Sequence, residues 1–322
     1  MRIYVAFLLS PLMLIQNSAN ASETTPTTTQ YTQKTGTVLK WAGCGITKHA
    51  FMDELSKAYE KKTGVKIVFD KGNSPLDGSI SGIQNINNGE FQLGASCRAN
   101  IESMPEERNV YQVPVAWDAI VFITHPSNPV ESITTKQAQD IYMGRVTNWK
   151  QLGGPDATIE LFDRSGKLSG VGRNLRELLF ANYDQEFVNV RHIVPSTGPL
   201  EKGIESTPYS LGATGISSAH RRKVKILKLN DKEPNFENIR TGQYLMYRPL
   251  YLVSQGANAD PLVKDFVTFA ISREGQDVIR KTGTVPYTDS LGLVMKQIEE
   301  YDVANNKGLF STATEQELKK KK

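Results

Sequence analysis

Three short segments combine glycine with small hydroxyl residues at the start of a predicted helix. They are Gly43-Cys44-Gly45-Ile46-Thr47, Gly78-Ser79-Ile80-Ser81-Gly82 and Ser165-Gly166-Lys167-Leu168-Ser169-Gly170. The first N–H groups of a helix have no intrahelical partner and sit at the positive end of its dipole, so each segment is suited to hold an anion. Any one of them is equally an ordinary helix cap. Three in one chain, the third beside the forked donors of Arg164, point to convergence on a single oxyanion.

Other chemistries find less support. Gly43-Cys44-Gly45 lacks the third glycine of a dinucleotide loop, since position 48 is lysine, and Ser165-Gly166-Lys167-Leu168 has leucine where a P-loop needs Ser or Thr. No G-x-S-x-G elbow is present. The four histidines, His49, His125, His192 and His220, form no metal-binding spacing, so neither a metal nor a cofactor is expected. The basic run His220 to Lys225 has no interleaved aromatics and reads as a solvated strand entrance, not a nucleic-acid site. Cys44 and Cys97 are the only cysteines; they are compatible with one disulfide or with two free, half-buried thiols.

The elements that must position these loops belong to an ordinary globular chain of 322 residues, 39% hydrophobic and 22% charged, with a formal charge of +4. That length is enough for two domains and excludes a disordered or coiled-coil bulk. Residues 1–21 read as a cleavable secretory signal: Arg2, an apolar run from Val5 to Ile15, and an Ala19-Asn20-Ala21 cleavage site. The apolar run is too short to span a bilayer, so a periplasmic location is expected. Residues 22–36 read as a flexible leader and 311–322 as a flexible basic tail. Between them, strands alternate with helices. Strands are expected at Val38 to Ala42, Val65 to Phe69, Phe91 to Ala95, Val113 to Val115, Ile120 to Thr124, Thr158 to Phe162, Thr214 to Ser217, Val224 to Leu229 and Leu250 to Val253. Helices are expected from Phe51 to Tyr59, Thr135 to Tyr142, Val171 to Phe180, Pro261 to Ser272 and Glu274 to Lys281. The class is α/β with a largely parallel sheet.

From Leu39 to Tyr287 the chain resembles the periplasmic phosphate-binding proteins of phosphate ABC transporters, within the type II periplasmic binding protein superfamily. The resemblance is carried by the Gly43 to Thr47 loop, Gly89-Glu90-Phe91-Gln92-Leu93-Gly94-Ala95-Ser96, Pro126-Ser127-Asn128-Pro129, and Gly144 with Asn148-Trp149-Lys150. It continues through Gly212-Ala213-Thr214-Gly215, Arg248-Pro249-Leu250-Tyr251, Glu274-Gly275-Gln276 and Gly283-Thr284-Val285-Pro286. Each motif is short; their common order and spacing carry the likeness.

The resemblance implies two doubly wound α/β domains joined by two crossover strands, closing on a ligand like a clamp. Residues 37–118 and 250–310 would form lobe one, and 119–249 lobe two. The implied function is capture of phosphate or a similar tetrahedral oxyanion by a monomer that delivers it to ABC transporter membrane subunits, without catalysis and without nucleic acid. The implied ligand residues are Thr47, Ser79, Cys97, Arg164, Ser169 and Gly170. Cys97 stands where the family has an aspartate or serine acceptor, Lys48 where an aromatic is usual, and Val171 where a threonine is usual. The aspartate accepts the proton of hydrogen phosphate, and its loss bears on selectivity against sulfate. Two alternatives follow from Cys97: a sensor or redox-modulated binding protein built on the same clamp, and a secreted enzyme with Cys97 as nucleophile.

Overall fold

The computed structural model describes residues 37–70 and 78–299, which belong to one compact unit. The signal, leader and tail expected at 1–21, 22–36 and 311–322 lie outside the described residues. The strands are β1 (Val38–Gly43), β2 (Lys66–Phe69), β3 (Leu93–Ser96), β4 (Tyr111–Thr124), β5 (Ser132–Ile133), β6 (Glu160–Arg164), β7 (His192–Val194), β8 (Ser210–Gly215), β9 (Lys225–Ile226), β10 (Lys228–Leu229), β11 (Tyr247–Ser254) and β12 (Val285–Pro286). The main sheet runs β2-β1-β3-β11-β4-β8-β6-β7, with β9 and β12 also on β4; β5 and β10 form a separate pair.

The mixed α/β class is as expected, but the sheet is less parallel than the strand-helix alternation suggested. β1 pairs in parallel with β2 and β3, and β6 with β7 and β8. Between these groups β11 and β4 run antiparallel to each other and to their outer neighbours. These are the two crossover strands. β4 reaches from one group to the other, pairing with β11 from Tyr111 to Ala119 and with β8 from Ile120 to Thr124. The two strands expected at Val113 to Val115 and Ile120 to Thr124 are thus one 14-residue strand, buried throughout from Val115 onward.

Its centre carries Asp118, which the structure buries opposite Arg248 of β11, so that the strand continues through a paired charge. Helices flank the sheet, and Tyr59, Phe266, Phe269 and Trp117 are among the largest side chains in the core. Tyr59 meets Phe266 edge-on with ring centroids 5.1 Å apart, a favoured aromatic geometry. A ten-residue helix, Thr197–Ser206, was not anticipated. Among the described residues no helix is long and apolar enough to cross a membrane.

Candidate functional site

β1 ends where Gly43 meets the Trp41 ring, and the chain turns at Cys44 into the helical residues Gly45–Thr47. Cys44 caps this turn: its Sγ accepts the Thr47 N–H at 3.4 Å, and the Thr47 hydroxyl donates to the Cys44 carbonyl at 2.9 Å. The Gly78–Asn87 helix rides directly on β3. A Cβ at Gly82 would fall 2.0 Å from the Ala95 carbonyl oxygen, which is why glycine is required there. This close approach brings Ser79 to the end of β3. Its Oγ accepts the Cys97 N–H at 3.1 Å and lies 3.2 Å from Cys97 Sγ.

The Gly170–Phe180 helix, from the opposite part of the sheet, lays its first residue over this pair. A Cβ at Gly170 would stand 2.4 Å from Ser79 Oγ and 2.5 Å from Cys97 Sγ. The Ser169 hydroxyl is used within its own helix, accepting the Gly172 N–H at 3.0 Å. The Asn174 amide, with its nitrogen turned toward acceptors, donates to the carbonyls of Gly170 (2.7 Å) and Cys97 (2.8 Å). Arg248 Nη1 approaches the same two carbonyls at 3.4 Å each. Its Nη2 lies 3.5 Å from Asp118 Oδ2, and Asp118 Oδ1 accepts the Ser217 hydroxyl (2.6 Å) and N–H (3.2 Å). Two guanidinium nitrogens, Nε and Nη2, make no hydrogen bond, although Arg248 is only 1% exposed.

Cys44 and Cys97 are free thiols with their sulfurs 3.5 Å apart, against about 2.05 Å for a disulfide. The disulfide entertained from the sequence is therefore not formed in this structure, and the thiols are fully rather than half buried. They share their protons unequally. Burial, then the contact with Cys97, holds the Cys44 thiol well above its usual value. The hydrogen bond from Cys44, with help from the Arg248 charge and Ser79 and against burial, brings Cys97 down to about 6. The pair titrates as a unit in which Cys97 releases its proton first. Burial raises the Asp118 carboxyl, opposed by Arg248 and Ser217.

A cavity of about 200 Å³ opens beside Cys44, walled by the Gly43–Gly45 loop and Gly78 on one side and by Ser196, Thr197 and Gly198 on the other. Thr197 begins the helix that the sequence reading missed, and the Ser196 side chain leaves its N-terminus uncapped. Arg164, at the end of β6 and 5% exposed, donates to Thr197 Oγ1 and the Pro195 carbonyl, both at 2.8 Å. Glu201 and Arg222 close the cavity, joined by an Arg222 Nε to Glu201 Oε2 bond of 2.9 Å. A larger groove of about 700 Å³ runs from His49 and Trp117 to Phe236 and Val285 and is lined more by apolar than by anion-binding groups.

Of the residues singled out from sequence, Thr47, Ser79, Cys97 and Gly170 gather with Cys44 in one sealed cluster. Arg164 stands behind the adjoining cavity wall, bonded to Thr197, and the Ser169 hydroxyl faces its own helix. Sequence reasoning missed Thr197, Arg222, Asp118 and Arg248. Ser196-Thr197-Gly198 repeats the hydroxyl-glycine pattern of the other loops and was a usable signal. Arg222, read as part of a solvated run, instead meets a fully buried glutamate. Among the described residues no cluster of three or more His, Cys, Asp or Glu could hold a metal.

A family model described as a PBP superfamily domain matches residues 20–274. Among relatives, the phosphate-binding protein PstS of Borreliella burgdorferi is 29% identical over 249 residues, covering 75% of this chain and 87% of its own. PstS of Bacillus subtilis is 26% identical, with 66% and 70% covered. Among solved structures, one from Clostridium perfringens, described as a phosphate ABC transporter substrate-binding protein with bound phosphate, aligns with a TM-score of 0.66 at 26% identity. It covers 77% of this chain and 99% of that one. An ABC-type phosphate transport receptor from Vibrio cholerae shares the fold, with a TM-score of 0.58 at 22% identity and 78% and 100% covered. With its crossover strands and paired α/β halves, the chain belongs to the PBP superfamily and has the type II periplasmic binding protein fold.

Proposed function

We propose that this chain is an exported, monomeric solute-binding protein that captures phosphate or a similar tetrahedral oxyanion and delivers it to the membrane subunits of an ABC transporter, with no chemistry of its own. The observation that carries this reading is the meeting of three helix N-termini, two beside the buried Arg164 and the third against Ser79 and Cys97. The helices starting at Gly78, Gly170 and Thr197 all begin beside Cys44, Ser79 or Arg164. Such N–H groups and a guanidinium favour negative charge and reward multiple oxygen acceptors. The PstS names of the relatives and the phosphate-bound Clostridium structure support the same ligand.

In this reading Arg164 supplies charge, Ser79 and Thr47 supply hydroxyls, and Ser169 and Gly170 act through backbone N–H groups. Cys97 takes the acceptor position. Lobe one comprises 37–118 and 250–310, lobe two 119–249, and the anion is gripped between them; the change in β4 pairing at Ala119–Ile120 supports that division. The larger groove offers mostly apolar surface, which an oxyanion cannot use.

The test is calorimetric titration of residues 22–322 with phosphate, sulfate and arsenate. Saturable one-site binding of phosphate or arsenate supports the reading. Absence of heat with all three removes it and favours the second reading, a sensor on the same clamp, to which the replacement of an acidic acceptor by Cys97 points.

A further inference from the structure

We propose that Cys44 and Cys97 form a thiol–disulfide exchange site set into the anion cleft, reacting with small disulfides that enter the adjoining cavity, and that this exchange sets the preference of the cleft among oxyanions. The second half rests on the oxyanion reading given above; the first half does not.

The geometry is that of a couple in its reduced form. The sulfurs face each other at 3.5 Å, donor to acceptor, with both residues at most 4% exposed. Closing that gap to a bond of about 2.05 Å requires the two side chains to rotate toward each other and give up their contacts with Thr47 and Ser79. The two sulfurs differ in access. Cys44 lines the 200 Å³ cavity, whereas Cys97 is covered by Ser79 and Gly170. They also differ in environment: Cys97 lies under the Arg248 charge with Ser79 beside it, which suits a thiolate. Cys44 is thus the sulfur a small disulfide in the cavity can reach, and Cys97 is the one placed to take its proton and then to resolve the mixed disulfide.

The steps balance. The Cys97 thiolate takes the Cys44 proton along the 3.5 Å contact, and Cys44 Sγ attacks one sulfur of a small disulfide RSSR; the S–S bond breaks, a Cys44–S–S–R bond forms, and the departing RS⁻ takes the proton from Cys97 and leaves as RSH. Cys97 thiolate then attacks Cys44 Sγ, forming Cys44–S–S–Cys97 and releasing the second RS⁻, which is protonated by water. The two protein sulfurs are oxidised and RSSR is reduced to two thiols. A dithiol reagent reverses both steps.

Oxidation removes a negative charge and a hydrogen-bond acceptor from Cys97, which in the oxyanion reading takes the acceptor position. Hydrogen phosphate carries a P–OH that a thiolate can accept from, offsetting their charge repulsion, while sulfate at neutral pH has only acceptor oxygens and gains no such bond. Forming the disulfide therefore lowers the phosphate-to-sulfate affinity ratio.

The test treats reduced residues 22–322 with bis(2-hydroxyethyl) disulfide and follows intact mass and thiol count. The parent is expected to lose both thiols and retain no adduct. Cys97→Ser is expected to stop at one hydroxyethyl adduct on Cys44, and Cys44→Ser to acquire none. Two thiols still alkylatable after unfolding, or an adduct on Cys97 in Cys44→Ser, overturn the exchange site whatever the cleft binds. Titration of reduced and oxidised protein with phosphate and sulfate then reads the second half. A fall of tenfold or more in the affinity ratio supports it, and an unchanged ratio overturns it. No anion binding by either form overturns the oxyanion reading together with this second half, while mass and thiol counts still decide the first.

Discussion

Gly170→Ala isolates the closure of the cleft from the stability of its parts. The added methyl would stand 2.4 Å from Ser79 Oγ and 2.5 Å from Cys97 Sγ, well inside contact distance. Neither neighbour can turn aside freely, since Ser79 Oγ accepts the Cys97 N–H at 3.1 Å and the Cys97 sulfur contacts both Ser79 and Cys44. Overpacking of this kind costs about 1–3 kcal/mol, roughly 5- to 150-fold in an equilibrium constant. The strain is relieved when the Gly170–Phe180 helix moves away from Ser79 and Cys97, so it falls on the closed arrangement proposed to grip the anion. In the helix itself alanine is favoured over glycine, by up to about 1 kcal/mol. Opposite signs in two assays follow: thermal unfolding without ligand unchanged or raised, and anion affinity by calorimetry lowered at least fivefold. Affinity within twofold of the parent, with the fold intact, would refute the idea that closure presses Gly170 onto this pair.

Other consequences can be checked alongside. Arg164→Ala removes a charged donor and leaves the Pro195 carbonyl and Thr197 hydroxyl without it; a loss of about 2 kcal/mol or more of anion binding free energy is expected by calorimetry. Arg248→Met strands Asp118 in the core and should destabilise urea unfolding by about 3–5 kcal/mol, with Asp118→Leu in the same chain recovering most of it. Cys97 is held near 6 against an ordinary 9.0, so the folded state binds fewer protons than the unfolded state between those values. Its stabilisation therefore grows as pH rises from about 6 to about 9 and is lost as pH falls through 6. Comparing urea midpoints of parent and Cys97→Ser across that window, a slope equal in both would contradict the assignment.

Much of the fold was legible because local chemistry and tertiary context agree. The Thr135–Tyr142 helix starts at a reciprocal Thr134–Gln137 capping box, which a sequence displays directly. The Thr197–Ser206 helix was missed because Gly198, Pro199 and Gly203 read as breakers. Pro199 stands in the first turn, where its missing N–H has no intrahelical carbonyl to serve. At Gly203 the Phe162 ring lies 2.4 Å from where a Cβ would be, a tertiary reason invisible locally. β4 was split in two for a similar reason: Asp118 is tolerated only because Arg248, 130 positions further on, lies opposite it. For the site, hydroxyl-glycine loops and Arg164 could be recognised by type. The approach of two sulfurs, the burial of Glu201 against Arg222 and the spending of the Ser169 hydroxyl on its own helix depend on contacts that no local pattern encodes.

In the proposed function an oxyanion is held where these helix N-termini meet. A crystal structure of reduced residues 22–322 grown with phosphate tests it most directly. A tetrahedral anion is expected within hydrogen-bond reach of Arg164, the Ser79 hydroxyl and the N–H groups at the start of the Gly170–Phe180 helix. An anion seated elsewhere, or a cleft that takes up none at saturating phosphate, would contradict it.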